Sequence, residues 1–210
     1  MPNGSYDSFN NLIDIEEAYK CFVGDPYLGE IVKKWGKCTL VRGENYYFEL
    51  CKSIMSQQIS TKVAQKMTER LSDLFDGKVT PEKVYKVDFD ELRSIGLSAR
   101  KTETLIQLAQ SCIEKKINLE LVDRMTDRNI GDYLVKVKGI GPWTVTMFLI
   151  FAMNRSRVIP IGDFGIRKAV QNVYSLDEMP SPEKVGSYFS SWAPHESVAS
   201  WYLWRSLENS

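Results

Sequence analysis

The chain has 210 residues, 43% of them hydrophobic, enough for one large domain or two small ones around a packed core. Lysine plus arginine equals aspartate plus glutamate at 27 each, which excludes a strongly basic DNA-coating protein and leaves only local arrangements to attract a nucleic acid. No apolar run approaches the ~20 residues of a membrane span, and residues 1–10 are polar and small, unlike a secretory leader, so an intracellular protein without membrane contact is expected.

In chain order, helical periodicity dominates. Helices are expected near Ile13 to Phe22 and Tyr27 to Trp35, followed by a weak two-residue alternation from Cys38 to Arg42. Lys62 to Phe75 sets Val63, Met67, Leu71, Leu74 and Phe75 on one stripe behind a Ser60 cap, and Thr80-Pro81 opens the next helix. Arg100 to Lys115 repeats the spacing through Leu105, Leu108, Ala109 and Cys112, and Thr126 caps a short helix. Trp143 to Asn154 is apolar almost all round, as a helix buried by neighbours should be. Asn154-Arg155-Ser156-Arg157 and Pro160-Ile161-Gly162 then break the chain before helices at Phe164 to Tyr174, Pro182 to Ser190 and His195 to Leu207. With no convincing strand and no internal repeat, the economical fold class is all-α.

Few residues can carry chemistry. Cys21, Cys38, Cys51 and Cys112 lack a short metal-ligand spacing, which argues against zinc, an iron–sulfur cluster or a disulfide framework and for reduced, mostly buried thiols. One histidine, His195, makes any histidine-based scheme hang on one residue; it and Glu196 read as surface residues at a helix start. Carboxylate chemistry remains.

The segment from Leu134 to Val145 joins a short amphipathic helix to the hydrophobic one through Gly139-Ile140-Gly141-Pro142. Glycines permit positive φ or a close backbone approach, and Pro142 starts a helix without losing a needed donor. Such a hairpin aims unpaired amides outward at a phosphate, with Gly139, Ile140, Gly141 and Thr144 at the contact and Lys136 and Lys138 adding local charge. Alone, the motif reads equally as a plain turn. Twenty residues beyond Trp143, Pro160-Ile161-Gly162-Asp163-Phe164-Gly165 presents Asp163 at a helix start, which alone is an ordinary cap. A cap and a catalyst can be one residue, because the amides of a helix N-terminus favour a charged carboxylate.

Together, the hairpin, the spacing and the Gly-Asp loop resemble the helix-hairpin-helix glycosylase superfamily (HhH-GPD), and within it the branch of 3-methyladenine DNA glycosylase II and its shorter microbial relatives. Ile54-Met55-Ser56-Gln57-Gln58-Ile59-Ser60 is similar to that family's minor-groove turn, and Trp192-Ala193-Pro194 with Ala199 to Ser206 is similar to its C-terminal helix. The resemblance covers about Cys38 to Leu207. It implies two helical lobes, 39–155 with the hairpin near 134–146, and 1–38 plus 156–210, without the extra N-terminal domain of longer relatives, and an active site in the cleft between them.

The resemblance further implies a monomeric base-excision repair enzyme that flips a damaged base out of double-stranded DNA, with Asp163 facing the sugar. Hairpin carbonyls of Val135, Val137 and Ile140 would hold a structural monovalent cation, and no other cofactor is expected. Trp143 stands where bifunctional members carry a lysine nucleophile, so hydrolysis without strand nicking is expected. Trp143, Trp201, Trp204 and Tyr46 are candidates to line a pocket for a cationic alkylated purine, Trp143 and Trp204 because they match the family's pocket positions, whereas Tyr46 and Trp201 do not rise above a reading as core. Gln58, with Gln57 beside it, stands at the wedge position, where the family often has an aliphatic residue. A glycosylase for deaminated or oxidised bases, or a non-catalytic DNA-docking module, remain alternatives.

Overall fold

The computed structural model describes residues 11–208. Among the described residues the structure is helical, with no strand; one isolated bridge pairs Leu12 with Arg155. The alternation from Cys38 to Arg42 forms irregular chain instead.

The chain divides into two compact units. The first contains residues 11–42 and 149–208, the second residues 43–148. In the second unit lie α3 (Tyr46–Met55), α4 (Thr61–Leu74), α5 (Pro81–Lys86), α6 (Phe89–Ser94), α7 (Ala99–Ile113), a 3-10 turn over Leu119–Arg124, α8 (Asp127–Leu134) and α9 (Pro142–Met147). Their starts are set by short polar side chains: Ser60, Thr80, Ser98 and Thr126 each accept the amide of the residue three positions on. Helix α7 packs against α3, α5 and α6, with Leu105, Leu108 and Ala109 fully buried.

Sequence periodicity misses α3 and α6. Six of the ten residues of α3 are buried, so it has no polar face to reveal its period, and α6 has only six residues. In α4 the stripe is rotated: Ala64, Met67 and Leu71 face inward, while Val63 is 47% exposed. The helix expected over Trp143 to Asn154 changes character, α9 passing at Phe148–Ala152 into a π-helical segment.

The first unit contains α1 (Ile15–Phe22), α2 (Gly29–Trp35), α10 (Phe164–Val173), α11 (Pro182–Phe189) with a 3-10 turn at Ser190–Trp192, and α12 (Glu196–Ser206). Helix α12 is its axis: it packs against α2 and α10 and is buried continuously from Glu196 to Leu203. That overturns the surface reading of His195 and Glu196, which are 4% and 6% exposed. Covered first-turn groups explain it: the Ser197 amide donates to the Ser156 carbonyl at 2.9 Å, and the His195 ring meets Phe22 edge to face at 6.0 Å.

Glu196 Oε1 lies 3.9 Å from Arg157 Nε, and its buried Oε2 has no hydrogen-bond partner among the described residues. Desolvation raises the Glu196 pKa above the ordinary carboxylate value. Between its unfolded and folded pKa values the native state therefore binds more protons, so stability falls as pH rises through that window. Glu196→Gln should raise the melting temperature at pH 7.5 and leave it nearly unchanged at pH 4, as calorimetry at both pH values would register.

The four cysteines are free thiols, but they are not mostly buried: Cys38 and Cys51 are, Cys112 is half-buried and Cys21 exposed. Burial pushes Cys38 up to about 11 and Cys112 up to about 12, far from a reactive thiolate.

Candidate active site

In the first unit, a loop turned by an Asp163 amide to Pro160 carbonyl bond of 2.9 Å delivers Asp163 to the start of α10. One carboxylate oxygen, Oδ1, accepts both the Ile166 amide and the Trp204 indole N–H, each at 2.9 Å. Helix α10 thus fixes the aspartate from below and α12 fixes it from the side. Asp163 is half-buried, at the edge of the first unit's core. Gly165 leaves room for it: a Cβ there would stand 3.1 Å from Asp163 Oδ1 and 3.3 Å from Trp204 Cδ1, so the carboxylate and the indole would have to give by a few tenths of an ångström.

Trp204 stacks on Phe151, ring centroids 5.5 Å apart at 28°. Phe164, next to Asp163, is 69% exposed, an unusual state for so large an apolar group. Phe151, Phe164 and Gly165 escape the sequence reading. Phe164 and Gly165 could have been found from their adjacency to Asp163, whereas Phe151 reaches Trp204 from a helix that reads as buried all round.

The second unit carries the hairpin. Helix α8 closes with the Val135 amide donating to the Gly131 carbonyl and the Val137 amide to the Leu134 carbonyl; the Ile140 amide then donates to the Val137 carbonyl at 3.0 Å. Val137 and Ile140 are buried and anchor the loop, while Val135, Lys136 and Lys138 face outward. Lys136 Nζ lies 5.7 Å from the Tyr133 ring centroid. The two glycines have different duties. Gly139 is left-handed, at φ +94°, and any Cβ would be driven into the Thr104 side chain of α7, so it serves close packing. Gly141 has φ −110° and open space where a Cβ would stand, which leaves its backbone accessible from outside. Trp143, the second residue of α9, is half-buried.

The turn after α3 meets this hairpin. Gln57 Nε2 donates to the Gly139 carbonyl at 3.0 Å and to Thr144 Oγ1 at 2.8 Å, so Thr144, 2% exposed, contacts a side chain of the protein itself. Gln58 is exposed with φ +56°. Tyr46 is not brought to this cluster. It begins α3 while Gln57 follows that helix's end, a separation of ~15 Å at helical rise. Its hydroxyl donates to Asp123 Oδ1 at 2.7 Å, its ring meets Phe148 edge to face, and it lines a groove with Pro81, Cys112 and Asn118.

Among the described residues, no group of three or more His, Cys, Asp and Glu side chains could hold a metal ion. The hairpin turn offers backbone oxygens, the donor type that hard cations take. The Val137 oxygen accepts one hydrogen bond and keeps a second lone pair. No described helix is long and apolar enough to cross a membrane.

Known proteins share this pattern. Residues 51–195 match the family model described as HhH-GPD superfamily base excision DNA repair protein. DNA-3-methyladenine glycosylase 1 of Schizosaccharomyces pombe is 34% identical over 162 residues, 76% of this chain and 71% of that one. The Bacillus subtilis protein YfjP is 32% identical over 188 residues, 86% of this chain, which spans 66% of the length of that relative. A solved structure of the Schizosaccharomyces pombe 3-methyladenine DNA glycosylase in complex with abasic DNA superposes with a TM-score of 0.84 at 31% identity, over 91% of this chain and 97% of that one. With the family model spanning well over half of the chain and the hairpin and Gly-Asp loop inside it, the chain belongs to the HhH-GPD superfamily of base excision DNA repair proteins.

Proposed function

We propose that the chain is a monofunctional DNA glycosylase that hydrolyses the N-glycosidic bond of alkylated purines, of the 3-methyladenine type, in double-stranded DNA. The observation that carries this reading is Asp163, a carboxylate fixed through one oxygen by the α10 amide and the Trp204 indole at 2.9 Å each. Relatives named DNA-3-methyladenine glycosylase and a neighbour solved on abasic DNA support the substrate class.

Breaking the bond from sugar to base builds positive charge on the deoxyribose, and a carboxylate held in place stabilises that charge without reorganising. The same carboxylate orients the attacking water. Alkylation already makes the base a good leaving group, so an aromatic surface without exact base-edge contacts suffices, and a cationic purine is attracted to aromatic faces by ~0.5–2 kcal/mol. Trp204, with Phe151 stacked on it in the first unit, is assigned to such a surface, and Trp143 and Tyr46 stand as separate aromatic candidates on the second unit.

The Gly141 backbone and Thr144's helix, with Ile140, Lys136 and Lys138 beside them, take the phosphates near the lesion. The carbonyls of Val135, Val137 and Ile140 are the ligands assigned to a monovalent cation that would rigidify the loop. Gln58 fills the gap left by the flipped nucleotide. The position beside the hairpin glycines is Trp143, not an amine, so no Schiff base forms there. Incubation with dimethyl sulfate-treated DNA followed by chromatography should show released methylated purines, and borohydride should trap no covalent protein–DNA adduct. Release of no base, or trapping at the level of a lyase, would refute the respective halves of the assignment.

A further inference from the structure

The turn that carries Gln58 is held from two sides. Helix α3 ends at Met55, and the last carbonyls of a helix have no ladder partner. Here the carbonyls of Met55 and Gln57 accept from a single ammonium, Lys101 Nζ, at 2.7 Å each. Lys101 lies in the first turn of α7 and is half-buried, and burial draws its pKa below the ordinary lysine value. It is committed to these two oxygens, in the place where a cation suits a helix C-terminus. From the other side, the Gln57 carboxamide reaches into the hairpin, to Gly139 and Thr144. One turn along α7, Thr104 packs so closely on Gly139 that no Cβ fits between them.

Helix α7 therefore touches the turn through Lys101 and the hairpin through Thr104, and Gln57 joins the two directly. The adjacent glutamines have opposite duties. Gln57 is spent on the hairpin, whereas Gln58 stands exposed in a left-handed conformation that a non-glycine residue holds only when its surroundings impose it.

We propose that Lys101 and Gln57 are positioning residues that fix the register of Gln58 against the phosphate-binding hairpin, so that seating the hairpin on the backbone delivers Gln58 into the duplex. This rests on the reading of the chain as a base-flipping glycosylase. A group that must enter a base stack is effective only when its supporting bonds hold it within a fraction of an ångström.

The test compares wild type with Lys101→Met, Lys101→Arg and Gln57→Leu in the full chain. One assay places 2-aminopurine opposite a tetrahydrofuran abasic analogue and reads insertion by fluorescence, with no chemistry involved. The other follows single-turnover excision of 7-methylguanine placed opposite cytosine, or opposite an abasic analogue where there is no partner base to part from. Lys101→Met should weaken the fluorescence change and slow excision opposite cytosine by roughly 10-fold or more, but opposite the gap by less than about 3-fold. Lys101→Arg, which keeps the charge and the donors, should recover most of the loss, and Gln57→Leu should follow Lys101→Met. Equal losses on both duplexes with wild-type fluorescence, or no change in either assay, would overturn the proposal. If Lys101→Met does not fold, Gln57→Leu decides by the same readouts, because it leaves both Lys101 bonds in place. If wild type excises from neither duplex, the glycosylase reading fails, and the fluorescence assay still decides the positioning role.

Discussion

Asp163→Asn should bind DNA as wild type does and lose at least about 100-fold in single-turnover excision, since it removes the charge that faces the developing cation. Asparagine is the informative replacement because it separates the two duties of this residue. As a cap it is equivalent: its carbonyl oxygen can accept both the Ile166 amide and the Trp204 indole at the 2.9 Å seen for Oδ1. The fold should therefore be kept and stability should stay within about 1 kcal/mol of wild type, as expected when both of these bonds are retained. Alanine would confuse the matter by leaving two donors without an acceptor and the start of α10 uncapped. If Asp163→Asn excises at the wild-type rate, the carboxylate is only a cap and Asp163 is not the catalytic group.

The second large effect concerns two residues that look alike in the sequence. Gly139→Ala should destabilise the protein by about 2–4 kcal/mol, combining a left-handed residue with overpacking against Thr104. Gly141→Ala should change stability by no more than about 0.5 kcal/mol, since its φ of −110° suits alanine and a Cβ there meets nothing within 4 Å. Its cost should appear in DNA affinity, where a methyl group keeps a phosphate from the exposed backbone and weakens binding by roughly 10-fold. Urea unfolding and titration of a duplex carrying an abasic analogue would separate the pair. A Gly141→Ala protein that loses stability as Gly139→Ala does would mean that both glycines are packing glycines.

This contrast marks how far the sequence is legible. Local chemistry can be read directly: Ser60, Thr80, Thr126 and Asp163 are caps in the structure because a short polar side chain before an apolar period has one favourable use. The all-α class follows from the same periods. What cannot be read is whatever depends on a distant partner. Nothing beside Gly139 announces Thr104, 35 residues earlier, and nothing beside Gln57 announces that its side chain belongs to the hairpin rather than to DNA. Helix α3 is hidden because it is buried on most sides, and His195 and Glu196 read as surface because polarity stands in for exposure until α12 is found at the centre of its unit. Asp163 and Trp204, both singled out in the sequence, are joined by a hydrogen bond in the structure, whereas nothing in the sequence announces Phe151, which reaches Trp204 from the π-helical segment.

The most direct test of the glycosylase assignment is a duplex carrying one alkylated purine in a labelled strand, incubated with the purified protein and divided before electrophoresis into a portion treated with hot alkali and one left untreated. Hydrolysis at the N-glycosidic bond predicts a break at the lesion only in the alkali-treated portion. An intact strand in both portions would contradict the enzyme assignment, and a break without alkali would contradict a hydrolase that has Trp143 beside its hairpin instead of an amine.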